Sequence, residues 1–349
     1  MTMLAEVVDV VIGVDTHKHT HTAAVIDATT GAVLDERTVN TDPDGYAELV
    51  AMADRHSGLR AWSIEGTGGY GAGLTRHLNR GDELVIELDR PNRPARRNGA
   101  KSDPLDAVRA GREALARRHL AHPRTGGERA ALSVLLAARR SAVDASTVAQ
   151  RQLHALVVAA PEALRDRFRG QSTPNMITTA TRLRRNSSWD LETTTYASVL
   201  RDLGRRIKTM QAEAATHERS IQGIVRSWRP DLLDQTGVGP IVAAVVLCAW
   251  SHAGRCRHEA AFANLAGVAP IPASSGQTTR HRLNRCGDRQ LNRAIHTIAL
   301  TRLRYDPATR TYAERRRAEG KTDREIKRCL KRYIARQLYR QLENPPTPT

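Results

Sequence analysis

Aromatic side chains are scarce in this sequence: Trp, Tyr and Phe together make up 4% of its 349 residues, and only two are Phe. That argues against a single-strand binder that stacks bases on an aromatic platform. It suits a protein that grips phosphates and reads shape. Cysteine is also rare. Cys248, Cys256, Cys286 and Cys329 show no CxxC spacing, so no disulfide framework is expected and a reducing compartment is the plain reading. The longest apolar run, Ile241 to Trp250, has ten residues, too short to span a bilayer. No positively charged leader with an apolar core opens the chain. The expectation is a cytoplasmic protein with no membrane partner.

Positive charge is what the chain has in excess. It carries 54 Lys and Arg against 37 Asp and Glu, a formal net charge of +17. Such a balance favours a polyanionic partner, most simply nucleic acid; a merely soluble basic protein is the plainer alternative. The excess is uneven. From Arg229 onward there are 22 basic and 10 acidic residues, whereas the first 228 residues hold 32 and 27. The C-terminal third is therefore the main electrostatic footprint.

The first ~90 residues alternate in the manner of an α/β fold. Val7 to Val14 is a β-branched apolar run that stops at Asp15, a buried strand in pattern. Thr22 to Ile26 and Val33 to Val39 read as two more strands, with Thr29-Thr30-Gly31 as the turn. Pro43 to His56 reads as a helix and Arg60 to Ile64 as a fourth strand ending on Glu65. The glycine-rich turn Gly66-Thr67-Gly68-Gly69 leads to a helix that runs to Asn79, and Leu84 to Leu88 is a fifth strand. A loop from Arg90 to Lys101 follows, with five positive charges and no negative one. Ser102 then looks like an N-cap for a helix with Asp103 and Pro104 in its first turn.

From about Glu128 the pattern is helical. Between Tyr196 and Trp228 a seven-residue repeat persists for five cycles. Tyr196, Leu203, Met210, His217 and Ile224 stand at one seam position, and Leu200, Ile207, Ala214, Ile221 and Trp228 at the other. This predicts a coiled-coil helix roughly 50 Å long. Glu128 to Ala159 is its expected antiparallel partner, through Leu132, Leu136, Val143, Leu153 and Val157. His217 reads as a register or packing residue. The tail Asn344 to Thr349 is proline-rich and is expected to be disordered.

Four acids stand out. Asp15 and Glu65 end the first and fourth strands, and Asp103 and Asp106 lie three apart on one helix, so they share a face. Carboxylates from separate elements that converge at one edge of a sheet suit hard cations such as Mg²⁺ or Mn²⁺. Two such ions can activate the attacking oxygen and stabilise the leaving one in phosphodiester cleavage. Each acid alone has a bland explanation as a turn or helix-dipole residue. Gly13-Val14-Asp15-Thr16 with Asp27 and Gly31 also resembles the phosphate loop of sugar kinases, although the charge and the absence of a second phosphate loop count against that reading. His17, His19 and His21 alternate on a strand. As a zinc site they lack a further Cys or His at ligand spacing.

Taken together, Gly13-Val-Asp15-Thr-His-Lys18, Glu65-Gly-Thr-Gly-Gly-Tyr70 and Lys101-Ser-Asp103-Pro-Leu-Asp106-Ala107 resemble the DEDD transposases of the insertion sequence 110 family. The resemblance continues in Leu233-Asp-Gln-Thr-Gly237-Val-Gly239-Pro240 and Leu265-Ala-Gly267-Val-Ala-Pro270, then in Ser275-Gly276 and Gly287. It implies an α/β ribonuclease-H-like (RuvC-like) domain over 1–125 and a helical coiled-coil segment over 126–228. A basic all-α transposase domain would follow over 229–343, ahead of the tail at 344–349. It implies that Asp15, Glu65, Asp103 and Asp106 are catalytic metal ligands for Mg²⁺ or Mn²⁺. It also implies that Ser275, beside Ser274, is a nucleophile essential for recombination. The implied partners are donor and target DNA, a structured guide RNA from the element itself, and further copies of the chain as a dimer or tetramer. The implied setting is the bacterial nucleoid. A metal-dependent Holliday-junction-type nuclease that cuts without rejoining, and a non-catalytic nucleic-acid-binding derivative, are the alternatives.

Thr236 to Pro240, ahead of the apolar helix from Ile241, looks like a helix-hairpin-helix element, with Gly237 and Gly239 letting backbone N–H groups approach phosphate. Further phosphate contacts are expected from Lys18, from Arg93, Arg96, Arg97 and Lys101 in the basic loop, and from Arg280, Arg282, Arg285, Arg289 and Arg293 around Ser275. The last helix adds Lys327, Arg328, Lys331, Arg332, Arg336 and Arg340. A solvated basic face is the plainer alternative.

Overall fold

A computed structural model describes residues 3–88, 103–273, 281–284 and 286–345. It divides into two compact units, 1–125 and 126–349. The first unit is built on a five-stranded sheet. Its strands are β1 (Val10–Thr16), β2 (Thr20–Asp27), β3 (Val33–Asn40), β4 (Arg60–Glu65) and β5 (Val85–Leu88). Its helices are α1 (Pro43–Ala53), α2 (Ala72–Arg80) and α3 (Asp103–Ala116). The expected order of elements is present. The strand order is β3-β2-β1-β4-β5, with the first three antiparallel and β4 and β5 parallel to β1.

β1 starts three residues later than the apolar run from Val7 and extends past its end at Val14. Residues 4–6 form a short 3-10 turn, and β1 runs through Asp15 to Thr16. Leu4 and Val8 are buried but serve the packing under α3, while Val7 is exposed. The apolar run is thus a turn and a strand joined.

Strand alternation gives the sheet two apolar faces. One carries Ile12, Val14, Trp62 and Ile64 and packs against Leu49 and Met52 of α1 and Leu74 and Leu78 of α2. Each such fully buried side chain stabilises by about 1.5–3 kcal/mol relative to exposure. The opposite face carries Val11 and Ala61 and is covered by α3 through Ala110 and Ala114.

The second unit is mainly helical. It comprises α4 (Gly127–Ala159), α5 (Glu162–Arg165), α6 (Thr173–Thr181), α7 (Leu191–Trp228), α8 (Pro240–Trp250) and α9 (Glu259–Leu265). After these come α10 (Arg289–Tyr305), α11 (Pro307–Ala318) and α12 (Asp323–Glu343). A two-residue antiparallel pair, β6 (Ile271–Pro272) and β7 (His281–Arg282), interrupts the helices, where an all-α domain was expected.

Helices α4 and α7 lie antiparallel. Leu132 shares a core with Ile221 and Val225, and Leu153 and Val157 share another with Leu200, Leu203 and Ile207. Between these, Arg139 meets Glu218 at 2.9 Å. In one seam of the repeat Leu200, Ile207, Ala214 and Ile221 are buried and Trp228 is partly so, while in the other Leu203 is buried and Tyr196, Met210, His217 and Ile224 are only partly so. On α4 the expected Val143 is exposed and Ala142, Ser146 and Ala149 are buried in its stead. Small side chains hold the middle of this pair, which is why the larger-residue seam misjudged it. Leu132, Ile221 and Val225 also belong to the core built from α8, α9, α10 and α12. No helix among the described residues is long and apolar enough to cross a membrane.

Candidate active site

The acids are assembled by how closely α3 lies on the sheet. A Cβ built on Gly13 would stand 2.1 Å from the carbonyl oxygen of Ala107, and one on Gly111 would stand 2.4 Å from Cδ1 of Ile26. Only glycine lets strand and helix backbones approach this far. Ser63 of β4 fixes the helix further, its Oγ donating to the Ala110 carbonyl at 2.9 Å. The first turn of α3, carrying Asp103 and Asp106, is thereby delivered to the C-terminal end of β1.

Asp15 stands on the same sheet face as Gly13. Glu65 stands on the same face as Ser63, and the parallel register that pairs Val14 with Ile64 sets Asp15 and Glu65 side by side. The backbone of this pair is tied by Thr16, whose Oγ1 donates to the Glu65 carbonyl at 3.0 Å. Thr67, in the glycine-rich turn after Glu65, donates to the buried Glu87 carboxylate at 2.7 Å, anchoring the turn to β5.

Burial pushes the Asp15 carboxyl above its ordinary range; nearby His17 opposes this, and Asp106 and Asp103 raise it further. Asp106 is held by Arg109 at 2.9 Å, one turn along its own helix.

The tightest grouping contains a residue that spacing alone assigned elsewhere. His17 Nε2 lies 3.1 Å from Asp15 Oδ2 and 3.4 Å from Asp103 Oδ1. One ligand atom from each of the three residues falls within 4.8 Å of the others. The three alternating histidines do not converge. His19 is exposed, and His21 is fully buried and stacked on Tyr46 with ring centroids 5.8 Å apart. Oxygen donors from Asp15 and Asp103, with Asp106 and Glu65 on the same side, are a donor set that fits a divalent cation.

In the second unit, Arg282, Arg328, Lys331, Arg332 and Arg336 line a cavity of about 990 Å³. A neighbouring one of about 480 Å³ is lined by Arg289, Arg293, His296 and again Lys331. Burial lowers the basicity of His296, and Lys331 and Lys327 push it the same way, which marks a positive potential. Not every cation here is free: Arg332 and Arg336 both bind Glu259. Gly239 precedes α8 as its N-cap. Gly237 packs on α10, where a Cβ would meet the Ile298 backbone at 3.1 Å, and the element before it is a five-residue 3-10 turn, Pro230–Asp234.

Gly267 and Gly287 cross backbone to backbone, and Asp288 N donates to the Leu265 carbonyl at 2.7 Å. Ser275 and Ser274 lie outside the described residues, as do Arg93, Arg96, Arg97, Lys101, Ser102, Arg280 and Arg285. Lys18 is exposed in the β1–β2 turn.

Two family matches follow the same order as these two units. Residues 12–160 match the DEDD transposase family of IS110 elements, and residues 231–314 match the Transposase IS116/IS110/IS902 family. The chain belongs to the IS110 family of transposases. One relative, the Insertion element IS900 uncharacterized 42 kDa protein of Mycobacterium paratuberculosis, is 26% identical over 366 aligned positions, covering 88% of this chain and 89% of that one. Another is the Insertion element IS110 uncharacterized 43.6 kDa protein of Streptomyces coelicolor. It is 40% identical over 94 residues, and the match spans 27% of this IS110-family chain and 23% of the relative. The glycines at 13, 66, 267 and 287, quoted above as parts of the family's motifs, sit at close backbone crossings or turns in this structure.

Proposed function

We propose that this IS110-family transposase cuts and rejoins DNA at a site where Asp15, Glu65, Asp103 and Asp106 hold Mg²⁺ or Mn²⁺. The observation that carries the reading is the convergence of strand-end and helix-start carboxylates at one edge of the sheet, where burial, and then Asp106 and Asp103, raise Asp15 against the opposing effect of His17. A divalent cation bound there supplies Lewis-acid polarisation of the scissile phosphate. The chain's own work is positioning. Gly13 and Gly111 seat α3, Thr16 ties β1 to the end of β4, and Arg109 orients Asp106.

Ser275 is the nucleophile in this reading. Its Oγ attacks phosphorus, an O–P bond forms to the serine, and the DNA oxygen departs and takes up the serine proton. A second strand's hydroxyl reverses the exchange, so strands rejoin without an external energy source. The basic cavities lined by Arg282, Arg289 and Arg293 hold phosphates of donor and target DNA and of a structured guide RNA. The α4–α7 pair, read as a coiled coil, supports self-association into a dimer or tetramer.

The test incubates the full chain with matched RNA and labelled DNA, then denatures it. Wild type gives a protein–DNA adduct and Ser275→Ala gives none. Loss in Ser274→Ala instead moves the nucleophile by one residue. Strand cutting with no adduct in any variant replaces this reading with a junction nuclease that uses water.

A further inference from the structure

His17 belongs to neither the carboxylate set nor the hydrophobic face that holds His21, and its position is fixed from several sides. Its backbone N–H donates to the Thr20 carbonyl at 3.0 Å, closing the β1–β2 turn. Its carbonyl accepts from Thr41 Oγ1 at 3.5 Å. The imidazole is thereby aimed across the end of β1, at 3.1 Å from Asp15 Oδ2 and 3.4 Å from Asp103 Oδ1. Ligand atoms on adjacent corners of an octahedron with bonds of about 2.1 Å stand about 3 Å apart. Both separations are close to that edge, and the three atoms come from three different backbone settings: a strand, a turn and a helix start.

Resting on the carboxylate-site reading above, we propose that His17 Nε2 is a further ligand, on the side of Asp15 and Asp103, giving a mixed nitrogen–oxygen site that favours Mn²⁺ over Mg²⁺. The chemistry follows from donor type. Mg²⁺ is a hard ion that takes oxygen ligands and gains little from an imidazole. First-row transition ions bind nitrogen donors more strongly, Mn²⁺ least among them but still more than Mg²⁺. The ordinary alternative for His17 is an ion pair that neutralises two acids when no metal is bound. In that case it would leave the carboxylates on metal binding and make no bond to the ion.

The experiment uses tag-free full-length protein titrated with Mn²⁺ alone, followed by electron paramagnetic resonance with pulsed detection of nitrogen coupling, and a parallel Mg²⁺ titration. Wild type is expected to show a directly bonded imidazole nitrogen on Mn²⁺, absent in His17→Ala. That variant should bind Mn²⁺ about tenfold more weakly and Mg²⁺ within about twofold of wild type. His21→Phe should keep the coupling. Bound Mn²⁺ with no nitrogen coupling in wild type, or equal weakening for both ions in His17→Ala, overturns the ligand assignment and leaves the carboxylate site standing. Mn²⁺ binding that survives Asp15→Asn and Asp103→Asn together, with the His17 coupling lost, overturns both.

Discussion

At the scale of single residues, His17 and His21 show how a two-residue spacing can mislead. Alternation puts His17, His19 and His21 on one side of an extended strand. The strand ends at Thr16, the chain turns over residues 17–19, and β2 begins at Thr20. His17 therefore leaves the strand toward the acids, while His21 enters the next one and packs on Tyr46. Burial lowers the basicity of His21; a backbone contact with Thr20 opposes this only in part. Its Nε2 is buried without a hydrogen-bond partner. A histidine favoured neutral in the fold takes up its proton more readily unfolded. The unfolded chain thus binds more protons below the ordinary histidine range, and stability falls as pH drops through that range. Thermal melting from pH 7 to pH 5 should show His21→Phe losing less stability than wild type, since phenylalanine keeps the stacked ring and removes the titrating group. Parallel pH profiles would mean that His21 does not contribute. Asp15, raised in the fold, shifts both proteins alike in the opposite direction.

At the scale of elements, the seating of α3 on β1 sets the geometry of the acids. Gly13→Ala would drive a methyl group into the backbone of α3, which cannot move aside without carrying Asp103 and Asp106 with it. It should cost about 1–3 kcal/mol and lower activity further than its stability loss explains. Gly111→Ala meets the tip of Ile26, which can turn away, and should be milder in melting temperature. Equal, small effects at both positions would show that the close approach is not what holds the site. The strands were legible in the sequence as apolar runs that give way to a carboxylate, Asp15 one residue before the end of β1 and Glu65 at the end of β4, and Asp103 and Asp106 were legible by their helical spacing. The seam between α4 and α7 was legible on α7 and at the two ends of α4, at Leu132, Leu153 and Val157, but not in the middle of α4. There the buried positions are Ala142, Ser146 and Ala149, and small residues carry little hydrophobic signal to read. Likewise the pairing of β6 with β7 joins residues that lack strand pattern and are brought together by the crossing of Gly267 and Gly287.

At the scale of the whole molecule, the uneven charge sets how affinity should respond to salt. Binding by 6–10 phosphate contacts loses roughly 10³–10⁵ in affinity between 50 and 200 mM salt. Cutting the chain at Trp228 is a poor test of where those contacts lie, because Leu132, Ile221 and Val225 would lose the core they share with α8 and α12. Point neutralisation is cleaner. Arg289→Ala, Arg293→Ala and Arg328→Ala should each flatten the slope of log affinity against log salt by about 0.9 for double-stranded DNA. An unchanged slope would place the phosphate contacts elsewhere on the chain.

The central claim is that four carboxylates make one metal-dependent site for DNA strand exchange. Its most direct measurement is the strand-transfer rate of the full chain with matched RNA and DNA in Mg²⁺ and in Mn²⁺. Wild type would be compared with Asp15→Asn, Glu65→Gln, Asp103→Asn and Asp106→Asn. The account predicts activity abolished by chelator and restored by added metal, with every variant reduced at least about 100-fold, more than the loss of an outer-shell partner costs. Wild-type rates in Asp103→Asn or Asp106→Asn, or full activity in chelator, would contradict it.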